Sequence, residues 1–170
     1  MKLFFGLGNP GKTYQNNRHN LGQMVIHKIT NLTNKPKLSS QLAELNGNIF
    51  AISNDYMNNS GFSIAKVASF YKISPENIYL IHDDLDLSVG EYRFQFDRGP
   101  AGHNGIKSTI EQLGTQAFNR IRIGIDHPRH STTPQMAVED YVLLPFTTAE
   151  KVIIEETIDK IIPEIEKLGH

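Results

Sequence analysis

Leu3-Phe4-Phe5-Gly6-Leu7-Gly8-Asn9-Pro10-Gly11 is an apolar run that passes into a glycine-rich turn, and its reading decides the fold. The glycines at 6, 8 and 11 have the G-x-G-x-x-G spacing of dinucleotide-binding folds. That motif needs a helix opening at the glycines, to aim its N-terminus at a pyrophosphate, and an acidic residue about twenty positions on for the ribose. Lys12 to Arg18 is polar throughout, with Tyr14 its one ring, and no Asp or Glu occurs before Glu44. The cofactor reading fails on both counts. What remains is a strand over 2–7 that ends in a loop presenting Asn9, Tyr14 and Arg18-His19-Asn20.

Beyond that loop a helix is predicted over 20–33. Leu21, Met24, Val25, Ile29 and Leu32 repeat at three- and four-residue spacing, and Asn20 with Gln23 has the form of an N-cap and its partner. His19 then sits just outside a helix N-terminus. The positive end of the helix dipole disfavours imidazolium, so the ring is expected to be neutral and ready to accept a proton near neutral pH. A histidine in this position can equally do no more than cap the helix.

Strand and helix signals alternate along the rest of the chain. Residues 42–45 and 49–52 flank Asn46-Gly47, a hairpin turn. Ile64, Val67, Ala68 and Tyr71 make a helical stripe behind Asn58-Asn59-Ser60, and residues 78–81 form a strand apolar on both faces, suited to the centre of a sheet. Residues 92–96 alternate like a half-buried strand, 99–102 read as a loop, and Ile106, Ile110 and Leu113 mark a short helix. Residues 120–125 have period two with both arginines on one face, and 127–134 form a polar loop. Thr147 and Glu150 make a capping box for a last helix, which Pro163 is expected to kink or split. The expected architecture is a single-domain α/β/α globule over residues 1–170, with a twisted mixed sheet covered by helices on both faces.

Composition narrows the function classes. The chain of 170 residues has no cysteine, which excludes disulfides and thiolate metal sites. No apolar stretch reaches membrane-spanning length, so a cytoplasmic protein without a membrane partner is expected. Residues 1–130 hold fourteen Lys/Arg against ten Asp/Glu, whereas 131–170 hold three against eight. A basic body with an acidic tail suits a chain that meets a polyanion on one face.

Ligands of open α/β sheets bind beyond the carboxyl ends of the strands. Residues 9–20, 58–60 and 102–105 place polar groups at such points, beside His82-Asp83-Asp84-Leu85-Asp86. Asn20, Asn58 and Asn104 could simply cap helices, or their amides could receive a carbonyl or developing oxyanion. The acidic run could be a solvated loop, a Mg²⁺ or Mn²⁺ site, or the source of a carboxylate, Asp83 being best placed, that orients His19. A serine nucleophile lacks its G-x-S-x-G elbow, and zinc lacks an H-E-x-x-H pair.

These segments, in order, resemble bacterial-type peptidyl-tRNA hydrolases. The resemblance rests on 6–11, Tyr14, Arg18-His19-Asn20-x-Gly22, Tyr56-Met57-Asn58-x-Ser60-Gly61, 82–86, Gly102-His103-Asn104-Gly105, 120–125 with His127-Pro128, and Tyr141-Val142-Leu143. It implies a monomer without cofactor or metal that hydrolyses the ester between a peptide and tRNA and so recycles both. Its partner would be peptidyl-tRNA. By the same resemblance His19 would activate water and Asp83 orient it, while Asn9, Asn58 and Asn104 would hold peptide backbone, water and oxyanion. Tyr14 and Met57 would line the cleft, and His103 would support the site. Arg93, Lys107, Arg120 and Arg122 are the candidates for phosphate contacts. The chain departs from the family pattern at Asn17, at Ser53-Asn54-Asp55, at Ala101, and at Gln95, where a basic residue is usual. A binding module that grips an RNA end, and a metal-dependent phosphoesterase built on 82–86, are the rival readings.

Overall fold

The computed structural model describes residues 1–130 and 136–170; of the expected polar loop, positions 131–134 lie outside the described residues. Strands β1 (Leu3–Gly6), β2 (Thr33–Lys35), β3 (Ser40–Leu45), β4 (Asn48–Ser53), β5 (Ile78–Asp84), β6 (Tyr92–Phe96) and β7 (Asn119–Gly124) form one sheet. Its order is β2-β3-β4-β1-β5-β7-β6. The four central strands are parallel, and β2, β3 and β6 join antiparallel at the margins. Helices α1 (Leu21–Ile29), α2 (Ser60–Tyr71), α3 (Asn104–Leu113), α4 (Val138–Val142) and α5 (Thr148–Gly169) complete the fold.

Alternation along the central strands builds two cores. Phe4 and Ile81 face the side covered by Val25 and Ile26 of α1 and by Ile154, Ile158, Ile161 and Ile165 of α5. Leu3, Phe5, Ile78 and Leu80 face the other side, covered by Ile64 and Val67 of α2 and Ile106 of α3. A strand that must bury both faces has to be apolar at every position. The run at 78–81 is, and it lies beside β1 in the middle of the sheet.

Several boundaries differ from the sequence reading. The first helix ends at Ile29, with Thr30 extended at φ −157°. Leu32 still packs on the α1 side of the core, so its spacing reports burial rather than helical backbone. The three residues of β2 are all exposed and carry no apolar pattern; pairing with β3 makes them a strand. β5 continues through His82, Asp83 and Asp84, which therefore lie on the strand and not in a loop. Phe94 and Phe96 of β6 are 37% and 50% exposed, because β6 is the margin of the sheet. Helix α5 runs as one element through Pro163, and its capping box is present, with Glu150 N–H donating to Thr147 Oγ1 at 3.2 Å and Thr147 N–H to Glu150 Oε1 at 2.9 Å.

The feature that places the site is how closely α1 rides on the sheet. Leu7 N–H donates to the Ile81 carbonyl at 3.0 Å, continuing the β1–β5 pairing past the end of β1. A β-carbon on Gly22 would lie 2.0 Å from that carbonyl oxygen and 2.6 Å from Leu7 N, and one on Gly6 would lie 2.3 Å from the Gly22 carbonyl oxygen. Only glycine at both positions lets the first turn of α1 lie directly over the ends of β1 and β5. Gly22→Ala should force the helix off the sheet, an overpacking that costs about 1–3 kcal/mol. A fall in melting temperature of roughly 2–12 °C is expected for a chain this size, followed by circular dichroism. An unchanged melting curve would mean the helix is not seated on that carbonyl.

Candidate active site

β1 lies between β4 and β5, and the chain leaves it first toward one side of the sheet and then the other. The carboxyl ends of β1 and β5 are thus the switch point where such sheets bind ligands. Three segments converge there. A 3₁₀ turn, Arg18–Asn20, carries His19 ahead of α1; the end of β5 carries Asp83; and the residue before α3 is His103.

Asp83 is 2% exposed, and its carboxylate is held between two imidazoles. His19 Nδ1 lies 2.8 Å from Oδ2, and His103 Nε2 lies 2.9 Å from Oδ1. The backbone fixes the His103 tautomer. Its Nδ1 accepts the N–H groups of Gly105 at 3.2 Å and Ile106 at 3.4 Å, capping α3, so its proton resides on Nε2 and is donated to Asp83. An ionised carboxylate only accepts, so His19 donates from Nδ1 and its Nε2 keeps a lone pair. No side chain or carbonyl of the described residues meets that nitrogen.

These contacts set the charges. Burial alone would push the Asp83 carboxyl up, but the adjacent His19 and His103 rings and their hydrogen bonds outweigh it and hold it well below the usual carboxylate range. Burial alone would lower His19; the Asp83 charge and hydrogen bond outweigh that and raise its pKa above the ordinary 6.5. This corrects the sequence expectation that the helix dipole sets the ring's titration by disfavouring the imidazolium. The carboxylate is in direct contact with the ring and dominates the weak terminal field of a helix.

His19, Asp83, His103 and Asn104 line a cavity of about 370 Å³ together with Leu85, Pro100, Val138 and Val142. Three donor atoms of the triad lie within 4.8 Å of one another, the spacing of a metal site. Their chemistry fits one poorly. The triad nitrogens facing Asp83 each carry a hydrogen already given to its carboxylate, and turning His103 over would set a proton against two backbone N–H groups.

The asparagines divide. Asn20 does not cap α1; its amide clasps the backbone of Asn9, accepting Asn9 N–H at 2.9 Å and donating to the Asn9 carbonyl at 2.8 Å. Asn9 Oδ1 in turn accepts Met57 N–H at 2.8 Å, which leaves its Nδ2 without a protein acceptor among the described residues. Asn58 is exposed and lines a second hollow of about 270 Å³ with Asn104, Lys107, Ser108 and Glu111. Asn104 borders both hollows.

Other expected contacts fall elsewhere. Met57 is buried, its sulfur packed beneath Gly105, so it supports the cleft wall and does not line it. Tyr14 is half-buried, edge-on to Tyr56 with centroids 6.1 Å apart. Arg93 and Lys107 are exposed. Arg122 is not available to phosphate: it is buried, donating from Nε to Asp84 Oδ2 at 2.7 Å and from Nη1 to Gln95 Oε1 at 3.0 Å. Arg120 is likewise interior, with Nε 3.0 Å from His82 Nε2. The strand pairing explains both, since β7 sets Arg120 and Arg122 against β5, beside His82 and Asp84. The period-two pattern of 120–125 puts both arginines on one face, as expected, but does not say what meets that face. The sequence placed Arg18 in the loop motif but gave it no role of its own. Its guanidinium lies 4.1 Å from the Tyr141 ring centroid and donates to Glu150 at 2.7 Å, tying the His19 turn to the start of α5.

Comparison with known proteins agrees along the whole chain. The family described as Peptidyl-tRNA hydrolase matches residues 3–170. A peptidyl-tRNA hydrolase of Francisella tularensis is 42% identical over 168 residues, covering 94% of this chain and 86% of the relative. One from Brevibacillus brevis is 42% identical over 166 residues, covering 93% and 86%. Among solved structures, a peptidyl-tRNA hydrolase from Acinetobacter baumannii superposes with a TM-score of 0.89 at 31% identity, covering 99% of this chain and 88% of its own. With a family match over residues 3–170, relatives at 42% identity and a solved structure that superposes on nearly the whole chain, the chain belongs to the peptidyl-tRNA hydrolase family.

Proposed function

We propose that this protein hydrolyses the ester joining a peptide to the 3′ end of tRNA in peptidyl-tRNA, releasing free peptide and tRNA. The observation that carries this reading is the His19–Asp83 contact, with the His19 ring lining the 370 Å³ cavity and its Nε2 unpartnered among the described residues. A base needs one bare nitrogen within reach of water and a second group to hold the ring, and this pair supplies both.

His19 Nε2 takes a proton from water as the water oxygen attacks the ester carbonyl. The imidazolium that forms is stabilised by the adjacent Asp83 carboxylate. The tetrahedral oxyanion is received by side-chain amide N–H groups, Nδ2 of Asn9 and Nδ2 of Asn104. Collapse of the intermediate breaks the bond to the ribose oxygen, which takes the proton back from His19 Nε2. Asn58, in the adjoining hollow, binds the substrate on the far side of Asn104. The general base accounts for roughly 10²–10⁴-fold and each oxyanion donor for about 10²–10³-fold.

Arg93 and Lys107 meet phosphates of the tRNA. The reaction proceeds in the cytoplasm on a monomer; one chain supplies His19, Asp83 and His103, and no helix among the described residues is long and apolar enough to cross a membrane. The donor chemistry of the triad favours metal-free hydrolysis over the phosphoesterase alternative.

His19→Ala is expected to slow single-turnover release of labelled peptide by at least about 100-fold. RNA affinity should stay within about twofold, and equal loss of both would make the residue structural. The pH profile follows from the raised His19 pKa. Only the neutral ring accepts a proton, and it is depleted as pH falls through the folded-state value. The acid limb of kcat/KM should therefore have its midpoint above 6.5, and in Asp83→Asn it should move down with a slower rate. A wild-type limb at or below 6.5 contradicts the pairing. Excess EDTA should leave peptide release unchanged, whereas abolition with rescue by Mn²⁺ would favour the phosphoesterase.

A further inference from the structure

Among the described residues Arg120 is the largest fully buried side chain, 1% exposed, and none of their carboxylates is hydrogen-bonded to it. A buried guanidinium held only by neutral acceptors is unusual, because desolvation is costly without an anionic partner. Its acceptors are informative. Nε donates to His82 Nε2 at 3.0 Å, and Nη1 donates to the carbonyls of Arg98 at 3.1 Å and Gly99 at 2.7 Å. His82 is also buried; since its Nε2 accepts, its proton is on Nδ1, which donates to the main-chain carbonyl of Asp83 at 2.8 Å.

These bonds close a ring around the site. From Arg120 one path runs through His82 to the backbone of Asp83. The other fixes residues 98 and 99, where the loop to His103 begins, and His103 returns to the Asp83 carboxylate. The two arms set the backbone position of Asp83 and the reach of His103 at the same time. We infer that Arg120, acting through His82, is a positioning residue for the Asp83–His19 pair, holding the carboxylate at the distance and angle that keep the His19 ring aimed at water.

This inference rests on the proposed hydrolysis for its rate readout, but not for its geometric one. Burial lowers Arg120 to about 10, so it remains a cation at neutral pH. Burial, His103 and Arg120 keep His82 well below its ordinary value, so it remains the neutral tautomer that the relay requires. Groups facing His19 are Asp83 from β5 and His103 ahead of α3; besides His82 and Arg120 themselves, Asp84, Asp86, His127 and Glu139 line the same cavity. None of these four bonds to the ring, so a change in its titration reports chiefly on Asp83 and His103.

Arg120→Lys keeps the charge but cannot serve an imidazole and two carbonyls together. His82→Gln keeps an acceptor for Arg120 but gives up the N–H aimed at the Asp83 carbonyl, so it tests the same relay if the first variant does not fold. Each is measured for kcat and KM with labelled peptidyl-tRNA, for thermal stability, and by NMR titration of His19. In either folded variant kcat should fall about 10–100-fold, as sub-ångström misplacement does, with KM within about twofold. The His19 midpoint should move down toward 6.5. A folded variant with wild-type kcat and wild-type His19 titration overturns the inference, as does a rise in KM at constant kcat, which would make Arg120 a substrate contact. Absence of peptide release by the wild type would instead remove the functional reading, and the NMR shift would still decide the positioning role.

Discussion

A single buried carboxylate, that of Asp83, sets the terms for the surrounding structure. Removing such a charge from water is tolerated only when hydrogen-bond donors meet its oxygens in good geometry. Here two imidazole N–H groups do so, one from the turn before α1 and one from the turn before α3. Because each oxygen needs its own donor, both turns must converge on the end of β5. The same contacts raise the affinity of His19 for a proton, so the bonds that make the charge tolerable also make the base.

Convergence of that kind needs close approach of main chains. Gly6 and Gly22 let α1 sit against β1 and β5, and Gly105 lets α3 settle over the Met57 sulfur. The glycine-rich opening therefore works by proximity between helix and sheet, with no phosphate involved. The Asn20 amide then locks the Asn9 loop by two hydrogen bonds to its backbone. Arg18 fastens the same turn to α4 and α5 through Tyr141 and Glu150.

Much of this could be read in the chain beforehand. Apolar periodicity marked the central strands and the main helices because burial of both sheet faces imposes it. His19, Asp83 and the asparagines stood out because they lie beyond the carboxyl ends of strands, where such sheets bind ligands, and the family resemblance added His103. The errors share one cause. Leu32, Phe94, Arg120 and Arg122 were each judged by local pattern, yet whether a side chain faces solvent depends on which strand or helix lies beside it. Leu32 packs inward without a helix; Phe94 is uncovered because its strand is last in the sheet; the two arginines are interior because groups of β5, β6 and the loop after β6 meet them.

The amino-acid order by itself determined the types of the main elements, the two-sided sheet and the identity of the groups able to do chemistry, since propensity, periodicity and functional-group content are properties of short segments. Tertiary structure alone decided the tautomer of His103, the direction in which the His19 pKa moves, the burial of Arg120 and Arg122, and the separation of Asn58 from the main cavity. Those depend on distances between residues far apart in the chain, and electrostatic and hydrogen-bond energies change steeply over a single ångström.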